Sequence, residues 1–194
     1  VSLVRRGDPF PVEDRNLDRR WLVHPYLFDC SSQDVTLDDE TTESEWVPPA
    51  EILRRRTVPD LWRSYDRVRP TVDTVADDRE HGAAYLSVRA LEVLRDEAAL
   101  AAERDAGDWT ALTNRARDLL AARPAMTVVR NRVNRAMQAA DARTPAAVET
   151  SAHEGIESAL DADEAAAERA GELLEGDRIV TLSRSGTVEC ALSL

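Results

Sequence analysis

The hydrophobic pattern changes its period near residue 76. Before that point, short apolar runs alternate with prolines and acidic stretches. After it, apolar and alanine positions recur at helical spacing. Residues 1–6 and 21–29 read as short strands, and Pro25 inside the run Trp-Leu-Val-His-Pro-Tyr-Leu-Phe-Asp predicts that the second is an edge or bulged strand. Residues 34–43 form an acidic loop, and Glu45-Trp46-Val47 reads as a brief strand stopped by Pro48-Pro49. Residues 50–56 and 59–69 read as two short helices. Three strands are few to close a core. The chain starts on Val1 rather than Met, and its first module is expected to continue upstream.

The second style is helical. Leu86, Ala90, Leu91, Val93, Leu94 and Ala98 predict a helix over 83–104, and Gly107-Asp108 breaks it. Asp108 is placed to cap a helix over 109–121. Pro124 suits the first turn of a helix running to about Ala140. Thr144-Pro145 opens a long helix to about Glu175, which Gly176 stops. Gly155 inside that helix costs about 1 kcal/mol against Ala, so a kink or close packing is expected there. Residues 178–182 read as a buried strand, Ser183 to Thr187 as a small-residue turn, and Val188 starts an apolar helix. Strand, turn and helix are the start of a βαβ unit, which is expected to continue past Leu194.

Composition narrows the class. With 43% hydrophobic residues among 194, the chain can bury a core. No apolar run approaches the ~20 residues that span a bilayer, so a soluble protein with no membrane partner is expected. The 25 basic residues against 37 acidic ones leave a net charge of −12, which disfavours direct nucleic-acid binding. Every basic residue is Arg. Arg-only usage with abundant Ala and Val points to a GC-rich genome, and an acidic surface suits high salt. A halophilic, archaeal, cytoplasmic protein is therefore expected, with a GC-rich mesophile as the alternative. Cys30 and Cys190 lie far apart, and with His24, His81 and His153 they make no zinc spacing. Such usage fits a reducing compartment.

Candidate chemistry concentrates in one turn. The first N–H groups of a helix, with hydroxyls and a guanidinium beside them, make an anion pocket. Ser183, Arg184, Ser185, Gly186 and Thr187 supply that set, and phosphate is the expected guest. A capped turn without ligand is the alternative, since the run lacks both the Rossmann glycine spacing and a P-loop Gly-Lys. Arg123 precedes a second group of guanidinium residues, Arg130, Arg132 and Arg135, suited to phosphate or carboxylate. Pairing with nearby acids competes with that use. Glu40, Glu43 and Glu45 could hold a hard cation or form a solvated loop. Ser183 has no His/Asp partners in the pattern, so no hydrolytic triad is expected. The catalytic residues stay unassigned, and neither metal ligand nor cofactor is assigned to this stretch. His153 reads as a packed or surface residue, and Trp21, Trp46, Trp62 and Trp109 as core.

Two resemblances account for the change of style. Residues 21–28, Trp-Leu-Val-His-Pro-Tyr-Leu-Phe, with residues 43–52, Glu-Ser-Glu-Trp-Val-Pro-Pro-Ala-Glu-Ile, resemble the C-terminal half of a Nudix hydrolase domain. That family holds divalent metal, here Mg2+ in the intact domain, on the glutamates of a signature Arg-Glu-x-x-Glu-Glu-x-Gly. No such run is present, so the resemblance implies a box upstream of Val1. Residues 168–176 echo it only superficially.

The second part is similar to the translation initiation factor 2B alpha/beta/delta family, which includes the methylthioribose-1-phosphate and ribose-1,5-bisphosphate isomerases. The matching pieces are His81-Gly-Ala-Ala-Tyr-Leu86, Ala122-Arg-Pro-Ala-Met126 with Asn131 and Asn134, and Ile179-Val-Thr-Leu-Ser-Arg-Ser-Gly-Thr-Val188. The resemblance implies a helical bundle leading into a Rossmann-like domain and assembly as a homo-oligomer. The isomerases carry a catalytic Cys where this chain has Ser183, and an Arg-Gly-Ala phosphate loop where it has His81-Gly82-Ala83. A hydroxyl is a far poorer acid than a thiol. Of the Arg-Pro motif, Arg123 is retained as a phosphate contact.

Together these readings predict an α+β chain. Residues 1–75 form a partial Nudix-like module, 77–176 a helical bundle, and 177–194 the first strand and helix of a truncated Rossmann-like domain. The expected function is binding a sugar phosphate or nucleotide in a regulatory or scaffolding role. The alternative is a Nudix-type, metal-dependent nucleoside diphosphate hydrolase. A ribose-1,5-bisphosphate isomerase stands third.

Overall fold

The computed structural model describes residues 1–14, 18–30, 32–104, 109–174, 178–181 and 185–193. It combines helices with small antiparallel sheets, an α+β chain. Two compact units divide it, Val1–Arg69 and Pro70–Leu194. Among the described residues, no helix is long and apolar enough to cross a membrane.

Among its described residues, the first unit contains four strands in two two-stranded sheets. β1 (Ser2–Arg6) pairs antiparallel with β4 (Tyr26–Asp29), and β2 (Phe10–Asp14) with β3 (Arg19–Val23). The single strand expected over 21–29 is thus two strands in different sheets. Pro25 has no N–H to give a ladder, and the chain changes sheet at His24-Pro25. The bulge lies instead in β1, between Leu3 and Arg5. β2 was not anticipated, although Phe10 and Val12 are buried while Pro11 and Glu13 are exposed, a period of two. Phe10 is the centre of this unit, with the Arg63 and Arg67 guanidiniums 4.3 and 4.7 Å from its ring centroid. Arg5 ties β1 to the chain's exit by donating to the carbonyls of Val68 (3.0 Å) and Arg69 (2.7 Å).

Other local expectations are corrected here. Residues 45–47 form no strand. Trp46 is exposed and donates its ring N–H to the Gln33 carbonyl at 2.8 Å. Trp21 is exposed too, so neither tryptophan is core; the indole of each stays against solvent while Phe10 fills the interior. The two short helices shrink to a 3-10 turn, Pro49–Leu53, and to α1, Leu61–Asp66.

The second unit is a helical bundle of α2 (Val72–Asp77), α3 (Ala83–Glu103), α4 (Trp109–Ala122), α5 (Thr127–Ala139), α6 (Pro145–Glu172) and α7 (Gly186–Ser193). α3 is its axis. It packs against α2, α4, α5 and α6, and eleven of its 21 residues are buried. Thr144 caps α6 as expected, accepting from the Ala147 N–H at 3.3 Å with Pro145 in the first turn. α5 starts later than expected, with Pro124 in the turn before it and Met126 at its N-cap. Close packing at Gly155 is observed. A β-carbon there would lie 3.3 Å from Leu91 Cδ1. Asp108, Glu175 and Gly176 lie outside the described residues.

The buried strand expected over 178–182 is not formed by its described residues. Residues 178–181 carry no strand, and Val180 is 93% exposed. A strand needs a partner for its backbone N–H and C=O groups, and none stands beside this segment among the described residues.

Candidate functional site

α3 begins at a glycine N-cap, Gly82, immediately after a built turn. Asp78 accepts the backbone N–H groups of Glu80 (2.9 Å) and His81 (2.8 Å), and His81 Nδ1 lies 2.8 Å from its other oxygen. The imidazole stacks on Tyr85 at 4.0 Å, and the Arg89 guanidinium lies 4.9 Å from the same ring. Arg89 pairs with Glu92 at 3.0 Å.

Burial pulls the Asp78 carboxyl upward, but the backbone and ring donors of His81 and the Glu80 N–H outweigh it and hold the carboxyl below its ordinary 3.8. A carboxyl depressed in the folded state contributes stability above its unfolded value and loses it as pH falls through the folded one. The turn is therefore expected to hold at neutral pH and to loosen only below pH 3.8. Acid titration of the Tyr85 ring protons by NMR checks this. The transition should vanish in Asp78→Asn, and its persistence there would contradict the assignment.

The start of α3 faces α6 and α7 across a cavity of about 640 Å³. α7 contributes its first turn. Ser185 precedes the helix and accepts the Val188 N–H on Oγ (3.2 Å) and the Glu189 N–H on its carbonyl (3.0 Å). Gly186 and Thr187 then begin the helix, where N–H groups lack intrahelical partners and the dipole favours an anion. Ser185, Gly186 and Thr187 all line the cavity. Ser183 and Arg184 lie outside the described residues.

α6 lines the cavity with Leu160, Asp163, Glu164, Ala167 and Glu168, a stripe at helical spacing. From the sequence no site role was given to this stripe, nor to Tyr85, Arg89 or Cys190, which also line the cavity. A helical-wheel reading of 160–168 would have found the stripe as one face, but not what it faces. Arg132 braces the wall from α5, donating to Ser87 Oγ (2.7 Å) and the Ala84 carbonyl (3.4 Å) and reaching Asp163 at 3.6 Å.

Arg123 is not brought to the cavity. Its Nε donates to the Val75 carbonyl at 2.8 Å, tying the α4–α5 turn to α2. In the first unit, hydrogen bonding and charge from Arg55 (2.7 Å) hold the Glu45 carboxyl below the usual carboxylate range. Among the described residues, no three His, Cys, Asp or Glu side chains are grouped to hold a metal. His153 is half-buried, 3.6 Å from Glu157.

A family model described as the initiation factor 2 subunit family matches residues 79–193. No curated protein and no solved structure matches the chain.

Proposed function

The chain belongs to the initiation factor 2 subunit family over residues 79–193, and on that premise we propose that its helical unit binds a phosphorylated sugar or nucleotide in a regulatory or scaffolding role. The observation that carries the reading is the cavity itself. The position where the isomerases have their Arg-Gly-Ala phosphate loop, here His81-Gly82-Ala83, and the Ser185-Gly186-Thr187 turn come from opposite ends of the match, and Gly82, Ala83 and all three turn residues line one space of about 640 Å³. That volume lies in the range of ~300–1,000 Å³ that encloses small ligands. Ser183, where the isomerases place their thiol, supports binding without isomerisation. In this reading Arg184 is a further phosphate contact, Arg123 a structural brace rather than a ligand, and assembly is homo-oligomeric. Residues 1–75 are read as the C-terminal part of a Nudix-like module, supported by the residue pattern of 21–28 and 43–52, with Mg2+ belonging to its upstream box. The Rossmann-like continuation is likewise what the family resemblance implies for the segment after α6.

Gly186→Pro tests the phosphate assignment. Proline is tolerated at the first helical position but removes one N–H donor. A hydrogen bond to a charged group contributes about 1.5–3 kcal/mol, so calorimetric affinity for AMP or ribose 1,5-bisphosphate is expected to fall about tenfold or more. Arg184→Ala is expected to weaken both as well. Unchanged affinity in both variants, with helical content preserved by circular dichroism, overturns the assignment.

A further inference from the structure

Resting on the homo-oligomeric part of the reading above and not on its ligand, we propose that the groove between α5 and α6 docks a second copy of this chain. The two copies are related by a two-fold axis, and Arg135 of each meets Glu154 of the other. In a chain of net charge −12, α5 holds Arg130, Arg132 and Arg135 and no acid. α6, packed directly against it, holds eight carboxylates and one Arg. The exposed acids Glu154, Glu157, Asp161, Glu164 and Glu168 recur every three or four residues along α6. Like charges at that spacing destabilise a helix, and cations brought to them relieve it. Within one copy, Arg132 reaches Asp163 at 3.6 Å and His153 lies 3.6 Å from Glu157. Glu154 and Asp161 have no ion pair among the described residues.

The groove has a volume of about 270 Å³, and Ala139, Gly155, Ser158 and Ala162 line it with side chains short enough for another helix to approach closely. Among the described residues, its lining holds two guanidiniums, Arg132 and Arg135, and one carboxylate, Glu154. Arg132 is committed to Ser87 Oγ at 2.7 Å and to Asp163. Arg135 and Glu154 are exposed, and neither side chain has an ion pair or a hydrogen bond among the described residues. One uncommitted cation and one uncommitted anion on a single groove make it complementary to itself. A two-fold axis sets the same patch of both copies face to face, so one interface forms the Arg135–Glu154 contact twice. Other occupants fit less well. A polyanion drawn to Arg130 and Arg135 meets the carboxylates of α6 beside them. A cationic peptide drawn to α6 meets the guanidiniums of α5, and like charges set together cost affinity. The exposed residues of the groove include no large apolar side chain. The association is therefore electrostatic and weakens as salt rises.

Sedimentation equilibrium of the whole chain at low and high salt tests this. The unaltered chain is expected to form a dimer whose dissociation constant rises with salt, and a dimer indifferent to salt overturns the proposal. Arg135→Glu and Glu154→Arg, each alone, set like charges against one another at both contacts. Each is expected to weaken the dimer about tenfold or more, with circular dichroism checking that the helices are kept. Mixing the two variants in equal amounts puts unlike charges at both contacts of the mixed dimer. Association is then expected to return to within about threefold of the unaltered chain, which a contact inside one copy cannot bring about. A dimer unaffected by either variant overturns the docking face and leaves the homo-oligomeric reading standing. Variants that dissociate but fail to reassociate on mixing overturn the two-fold pairing. A chain that stays monomeric throughout removes the homo-oligomeric reading as well.

Discussion

Asp96→Ala is expected to lower the stability of the helical unit by about 3–5 kcal/mol. Asp96 is fully buried in the middle of α3, and Arg95 beside it is only 5% exposed. Arg95 directs Nε and NH2 to the same carboxylate oxygen at 2.9 and 2.8 Å. Removing the carboxylate takes away the oxygen that receives two donors of a guanidinium in the interior of the bundle, and breaking a buried pair on one side is costly. Replacing the pair together, as Arg95→Met/Asp96→Leu, is expected to cost far less, because apolar groups of similar volume remove the desolvation penalty on both sides. Denaturant midpoints followed by circular dichroism decide the matter. A loss below about 1 kcal/mol in Asp96→Ala, or a double variant as unstable as the single, shows that the pair is not what holds this part of α3.

Leu91→Ala is the second large effect, expected to cost about 2–5 kcal/mol. Leu91 is fully buried on α3 and fills the space opened by Gly155 on α6. Gly155→Ala acts through the same contact. Alanine gains about 1 kcal/mol of helix propensity, but its methyl would stand 3.3 Å from Cδ1 of the fully buried Leu91. In the native background the crowding wins and Gly155→Ala destabilises. With Leu91→Ala already present the crowding is gone, and the same change stabilises by about 1 kcal/mol. A double-mutant cycle measures that reversal as a coupling energy. Strict additivity would show that α3 and α6 do not meet through this pair.

Much of the helical unit was legible in advance. Alanine and leucine at 3.6-residue spacing placed α3, α4 and α6 within a few residues, and Thr144-Pro145 marked the start of α6 because both its side-chain acceptor and its fixed φ are local properties. The first unit was less legible. Short strands carry little periodic signal, and which sheet a strand joins is a nonlocal matter. Hence one run became β3 and β4 at Pro25, β2 went unnoticed, and Trp21 and Trp46 proved exposed. Of the expected site, the turn residues Ser185, Gly186 and Thr187 line the cavity, while Arg123 is committed to the Val75 carbonyl. A guanidinium in a sequence states its charge but not its partner.

By itself, the sequence determined the helices of 83–172 to within a few residues, the cap of α6, the excess of acid and the three segments that resemble the family. These depend on neighbours within a turn or two, where periodicity, capping and composition act. Only the tertiary structure decided that residues a hundred positions apart, Gly82 and Gly186, share one cavity, and that an acidic stripe of α6 closes it. It also decided that Gly155 makes room for Leu91 and that Arg95 and Asp96 turn inward together. Those outcomes follow from how helices pack, which sets partners across the chain that no local pattern can name.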